Sequence, residues 1–220
     1  MAAKRKKISK KELLKKPDEF ITLSTRTLGW AKDNATKVIW IGSGVVLLLI
    51  LYFGYNAYRN YQEKLGHEKY FSSLEITDPD QKLKKLEEML KEFPNTKAAQ
   101  AARVDMGHLY YQKKDFSRAV YYYQSALNQG KFPQTFKTMI QVNLAYAYEQ
   151  KGDLQQAAKT LLEVTQGQDN LLKEDSLLNL ARIYQKMGKK AEAKTTYRNL
   201  LNTFPQSPYG NMVKDRLAGL

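Results

Sequence analysis

Residues 144–164 read LAYAYEQKGDLQQAAKTLLEV, and the pattern returns on both sides of them. Residues 106–127 are MGHLYYQKKDFSRAVYYYQSAL, and residues 180–205 are LARIYQKMGKKAEAKTTYRNLLNTFP. Aligned on a small residue (Gly107, Ala145, Ala181), the three stretches agree at four further places. A tyrosine follows three residues on (Tyr110, Tyr148, Tyr184), and an alanine twelve on (Ala119, Ala157, Ala193). A large residue follows at sixteen (Tyr123, Leu161, Tyr197), and an apolar one at nineteen (Ala126, Val164, Leu200). Small residues at two fixed places let a pair of helices approach closely, and the large ones fill the space above and below that contact. Gly152 and Gly188 end first helices, and Asp115 and Asp153 are placed to cap second helices. Each unit is therefore a helical hairpin with an apolar face that only a neighbouring unit can cover, which predicts a stacked array.

Working outward, the unit starts are 38 and 36 residues apart. The pattern resembles the tetratricopeptide repeat, whose usual period is about 34 residues, so the loops between units carry extra length. Residues 66–94 read as a degenerate fourth unit: Pro94 takes the place of Pro205 and Leu86 that of Tyr197, while Lys82 stands where an alanine is expected. Residues 207–217 read as a capping helix.

Further toward the N-terminus, residues 38–58 (VIWIGSGVVLLLILYFGYNAY) hold no charged side chain and are bounded by Lys37 and Arg59. As a helix they reach roughly 32 Å, enough for a hydrocarbon core of about 30 Å. Trp40 at one end and Tyr52, Tyr55 and Tyr58 at the other suit the two membrane–water interfaces. Eleven Lys or Arg against four acids precede the span, a net +7. Between Arg59 and Asp78, three basic residues stand against four acidic ones, a net −1. Positive flanks stay on the cytoplasmic side, so the N-terminus is expected inside and the repeats outside. The long charged lead and the lack of an A-x-A-like site favour an uncleaved signal anchor over a cleaved peptide. Pro17, Asp18 and Glu19 start a short helix on which Phe20, Leu23, Thr27, Leu28 and Ala31 share a face. It lies either on the lipid interface or free in the cytoplasm.

The expected fold is all-α: one N-terminal transmembrane helix followed by a tetratricopeptide-repeat α-solenoid of three to four helical hairpins. Residues 1–37 form a basic cytoplasmic tail with the interfacial helix, and 38–58 the transmembrane signal anchor. Residues 59–96 form a linker helix and the degenerate first repeat, and 97–220 the remaining repeats with their capping helix.

The chain has 220 residues, a net charge of +14, no cysteine and two histidines, His67 and His108. Disulfides, thiol catalysis and Cys-based zinc sites are excluded. No HExxH, GxSxG or P-loop pattern is present, and Gly42-Ser43-Gly44 lies within the span without a third glycine. The chain reads as a non-enzyme with no cofactor and no metal. Basic residues beside a span suit anionic lipid headgroups, and no nucleic-acid motif accompanies them. The binding surface expected of such an array is the face lined by the first helix of each hairpin. Counted from the aligned small residues, its candidate groove residues are Val104, His108, Tyr111, Met139, Val142, Tyr146, Leu178 and Arg182. Among the groups that could hold a terminal carboxylate, only Asn143 and Arg182 stand at inward places, which argues against a carboxylate clamp. An apolar, aromatic-lined groove suits a hydrophobic segment or a partner helix. The alternative is that these residues only pack against a neighbouring or C-terminal helix.

Residues 30–62, WAKDNATKVIWIGSGVVLLLILYFGYNAYRNYQ, followed by the repeats, resemble the ancillary subunit family of the bacterial SecYEG translocon. That resemblance implies a bacterial inner-membrane protein with a periplasmic repeat domain accessory to protein translocation. Its partners would be the translocon, a periplasmic chaperone or secreted clients, with no nucleic acid and no small-molecule substrate. A scaffold for another envelope assembly or cell-division complex fits the same residues.

Overall fold

The repeated turn sets the architecture. In a computed structural model describing residues 19–167 and 171–220, the tyrosine three places after the aligned small residue accepts the same hydrogen bond each time. Its carbonyl takes the amide of Asp115, Asp153 or Lys189, at 2.9 Å in all three units. The residue just before that donor lies in the left-handed region: Gly152 at φ 90°, Gly188 at φ 73°, and Lys114 at φ 61°. Glycine takes this conformation freely, whereas Lys114 bears a cost of about 1 kcal/mol. Asp115 and Asp153 then cap the following helices by accepting from the amides of Arg118 (3.0 Å) and Gln156 (3.1 Å). Lys189 stands at the same place in the last unit and supplies no side-chain cap.

Ten α-helices and no strand form among the described residues. They are α1 (Glu19–Asp33), α2 (Ala35–Leu74), α3 (Pro79–Glu92), α4 (Lys97–Gln112), α5 (Phe116–Gln129), α6 (Gln134–Lys151), α7 (Leu154–Gln166), α8 (Lys173–Lys186), α9 (Lys190–Thr203) and α10 (Gly210–Ala218). The chain divides into two units, residues 1–59 and 60–220.

The first unit holds α1 and the apolar part of α2. The apolar side chains from Ile39 to Tyr58 are exposed, and the most apolar window of α2 has a mean hydropathy of 2.1 with none of it buried. By length and composition this helix is able to cross a membrane. Leu28 and Trp30 of α1 are exposed as well. The basic tail up to Asp18 and the side chains of Phe20 and Leu23 lie outside the described residues.

In the second unit, helices pair as hairpins: α4 with α5, α6 with α7, α8 with α9. The aligned places are its interior. Ala145, Ala181, Ala119, Ala157 and Ala193 are fully buried, as are Tyr123, Leu161 and Tyr197 between them. At Gly107 an added Cβ would sit 2.6 Å from the Tyr123 ring, so the smallest residue stands opposite a large one. Replacing Ala157 or Ala193 with leucine should therefore overpack a hairpin and cost on the order of 1–3 kcal/mol, read as a lower thermal midpoint of the full chain in detergent.

The degenerate unit comprises residues 60–74 of α2 followed by α3, linked by the Lys69–Glu92 ion pair at 3.7 Å. Asp78 caps α3 by accepting from the amide of Gln81 (2.8 Å), Pro79 takes the first helical place, and Leu83, Leu86 and Met89 are buried. Its close approach falls one turn earlier than in the other units. Gly66, not residue 70, meets a neighbour: a Cβ there would lie 2.8 Å from Thr96 Oγ1. Tyr70 takes the aligned small-residue place and its hydroxyl donates instead to Asp105 on α4 at 2.7 Å. Lys82 is consequently half-buried without a tight alanine contact. At the other end α10 covers the last hairpin through Val213, which packs on Leu177, Ala181, Tyr197 and Leu200.

Candidate functional site

The first helix of each hairpin is tied to the next by polar pairs 33 to 37 residues apart. Tyr70 of α2 reaches Asp105 of α4. His108 Nε2 of α4 lies 3.1 Å from Asn143 Nδ2 of α6. Asn179 of α8 donates to the Tyr146 hydroxyl of α6 at 3.1 Å. Tyr209, just before α10, donates its hydroxyl to Asp175 of α8 at 3.0 Å. These contacts align α2, α4, α6 and α8 side by side, and the side chains one and four places after each aligned small residue line the resulting surface.

Toward the C-terminal end the surface is charged. Glu149 of α6 is 8% exposed and carries two cations from α8. Arg182 grips it with both terminal nitrogens, Nη2 at 2.7 Å, and Lys186 Nζ adds a bond of 2.7 Å. Arg182 Nη2 also donates to Asn179 Oδ1 at 3.1 Å. The Arg182 guanidinium beside Glu149 holds its carboxyl below the usual carboxylate range, with Lys186 adding to the effect against the cost of burial. One positive charge is left over at this place. Burial pushes the Tyr146 hydroxyl up, and Asp175 pushes it further in the same direction.

Of the other residues expected to line the groove, Val104 and Leu178 are half-buried and His108 is exposed, with its ring edge-on to Tyr123. Tyr111 is half-buried and rests on Phe116 with ring centroids 5.4 Å apart. Met139 is 44% exposed near the start of α6. Val142 is buried and belongs to the interior. The structure thus joins Tyr146 and Arg182 in one network with Glu149, Asn179 and Lys186. Tyr111 and Met139 stand apart from that network.

Two residues were overlooked. Phe71 and Leu74 of α2 occupy, in the degenerate unit, the places of His108 and Tyr111, each 37 residues earlier. Both are exposed, and Phe71 stacks on His67 with centroids 6.2 Å apart. Counting one and four places past Tyr70 in that unit finds them. The surface is therefore graded: apolar and aromatic at the α2 end, hydrogen-bonding in the middle, charged at α8. No group of three or more His, Cys, Asp or Glu able to hold a metal occurs among the described residues.

The sequence over residues 29–220 matches the family described as the tetratricopeptide repeat-like domain. No curated protein matches it. Among solved structures, a putative kinesin light chain from Podosopora anserina with nearly identical TPR-like repeats superposes with a TM-score of 0.52 at 18% identity, covering 72% of this chain and 83% of that one. The MamA protein superposes with 0.51 at 14% identity, covering 67% and 74%. The Pseudomonas aeruginosa pilF product gives 0.49 at 19% identity, covering 73% and 68%. Three stacked hairpins with a shared turn and a family match over nearly the whole length lead to one conclusion: the chain belongs to the tetratricopeptide repeat-like family.

Proposed function

We propose that this repeat protein is an interaction module of the bacterial inner membrane, accessory to the Sec translocon. Residues 38–58 act as a single-pass signal anchor, with the N-terminus in the cytoplasm and the repeats in the periplasm. The row of first helices holds secreted clients or a periplasmic chaperone. The proposal assigns the chain no catalytic step and no cofactor.

The observation that carries it is the graded inward surface. Exposed Phe71 and Leu74 provide anchors for an apolar segment, while the Glu149–Arg182–Lys186 cluster gives that surface a polar end. Aromatic anchors carry a large part of the affinity in protein interfaces. Support for the membrane setting comes from the uncharged length of residues 38–58 and the +7 charge preceding them.

A photocrosslinker placed at exposed Met139 in intact membranes tests the reading. The wild-type surface should capture a translocon subunit, a chaperone or a secreted chain, and the triple variant Phe71→Ala, Tyr111→Ala, Tyr146→Ala should lose about tenfold of that capture while keeping its helical signal. Equal capture by the folded variant, or none by the wild type, would move the binding site elsewhere.

A further inference from the structure

The edge of the solenoid formed by the turns within hairpins carries a second surface, separate from the inward one. Take the window from five to nine residues after each aligned small residue: 112–116, 150–154 and 186–190. It holds six lysines, Lys113, Lys114, Lys151, Lys186, Lys189 and Lys190, all exposed. The same windows hold two acids, Asp115 and Asp153, and both are committed to capping helix amides. Lys113 pairs with Asp80 and Lys186 with Glu149. Lys114, Lys151, Lys189 and Lys190 have no carboxylate partner among the described residues.

The turns are neighbours in space. A cavity of about 440 Å³ is lined by Lys113, Lys114, Asp115, Phe116 and Ser117 of one turn and by Gln150 and Lys151 of the next. The third turn follows, because Lys186 at the end of α8 reaches back to Glu149 of α6. Lys114 adds a separate observation. It holds a left-handed backbone where the other two turns use glycine. A strained residue that also lines a cavity marks a place where the side chain has a use.

We infer that this edge docks an acidic segment of a protein partner, with one carboxylate seated in the cavity between Lys114 and Lys151 and further acids along Lys189 and Lys190. The charge is complementary to such a segment. Phe116 is the one aromatic residue lining the cavity, and the lysine ammoniums act as adaptable point charges.

The test uses the full chain purified in detergent and a fluorescein-labelled 12-residue peptide of alternating glutamate and alanine, followed by anisotropy. Binding to the wild type should weaken steeply as salt is raised. The edge variant Lys114→Gly, Lys151→Gln, Lys189→Gln, Lys190→Gln should bind about tenfold more weakly or worse. A control with the same net charge, Lys84→Gln, Lys91→Gln, Lys159→Gln, Lys214→Gln, removes exposed lysines elsewhere and should lose less than about twofold. The single charge reversal Lys151→Glu should weaken binding in the same sense. Equal losses in edge and control variants would overturn the proposal, as would absence of binding to the wild type. Tighter, edge-dependent binding of a 12-mer single-stranded DNA or of phosphatidylglycerol vesicles would also overturn it, by assigning the edge to nucleic acid or to lipid.

Discussion

Truncating Tyr197 to alanine should lower the stability of the repeat domain by about 3–5 kcal/mol, the largest loss expected of any single side chain here. The ring is completely buried, on the second helix of the last hairpin, in one cluster with Leu177, Ala181, Leu200 and Val213. Its removal leaves a cavity among side chains of α8, α9 and α10. The hydroxyl adds a second contribution: it donates to Gln185 Oε1 of α8 at 2.8 Å and accepts from Arg216 Nη1 of α10 at 3.2 Å. Tyr197→Phe keeps the ring and loses these bonds, so it should cost about 1 kcal/mol. Arrays of this kind hold together through nearest-neighbour contacts, so the damage should stay local. Hydrogen exchange should speed up across α8, α9 and α10 in the alanine variant, while α4 and α5 keep their protection. Uniform loss of protection from α4 to α10 would show that the hairpins unfold as one body. An alanine at exposed Tyr121 serves as the control and should change stability by less than about 0.5 kcal/mol.

That ranking of side chains was largely readable from the spacing, because the repeat presents the same physical problem three times. A small residue at Ala157 says little by itself. Three small residues at the same distance from three large ones imply a close helix contact, and every aligned place proved to be interior or nearly so. The turn was legible for the same reason: Gly152, Gly188, Asp115 and Asp153 each do locally what their residue type does best. The inward surface was harder to read, since its network joins residues 33 to 37 positions apart that resemble ordinary helix-surface polar groups when taken singly. Glu149 and Asn179 acquire meaning only when α6 and α8 lie side by side. Phe71 and Leu74 were hidden by the degenerate unit, where the small residue had moved from place 70 to Gly66. With Tyr70 in the aligned slot, the register offered no reason to look one residue further. The apolar length of residues 38–58 was plain from composition, and the helix continues through it to Leu74.

Glu149 provides the sharpest test of the inward network. Glu149→Gln keeps the side chain's shape and removes its charge, leaving Arg182 and Lys186 without their shared partner. A fully buried pair broken in this way costs about 3–5 kcal/mol, but the Arg182 side chain is 30% exposed and that of Lys186 52% exposed, so both recover some hydration. The expected loss at neutral pH is about 2 kcal/mol, read from unfolding of the full chain in detergent. Its pH dependence has a definite sign. The carboxyl is held below its ordinary value of 4.5 in the folded chain, so it binds a proton more readily when unfolded. The stabilisation is therefore complete above that ordinary value and fades as the pH falls through the lowered folded one. Wild type and variant should differ most from pH 6 to 8 and converge in strong acid. A difference that persists undiminished in acid would mean that the variant harms packing and that the ion cluster contributes little. The double variant Glu149→Leu, Arg182→Leu separates the two causes further. It removes the buried carboxylate together with its principal cation, and should be more stable than Glu149→Leu alone, because no guanidinium is then left facing an apolar wall.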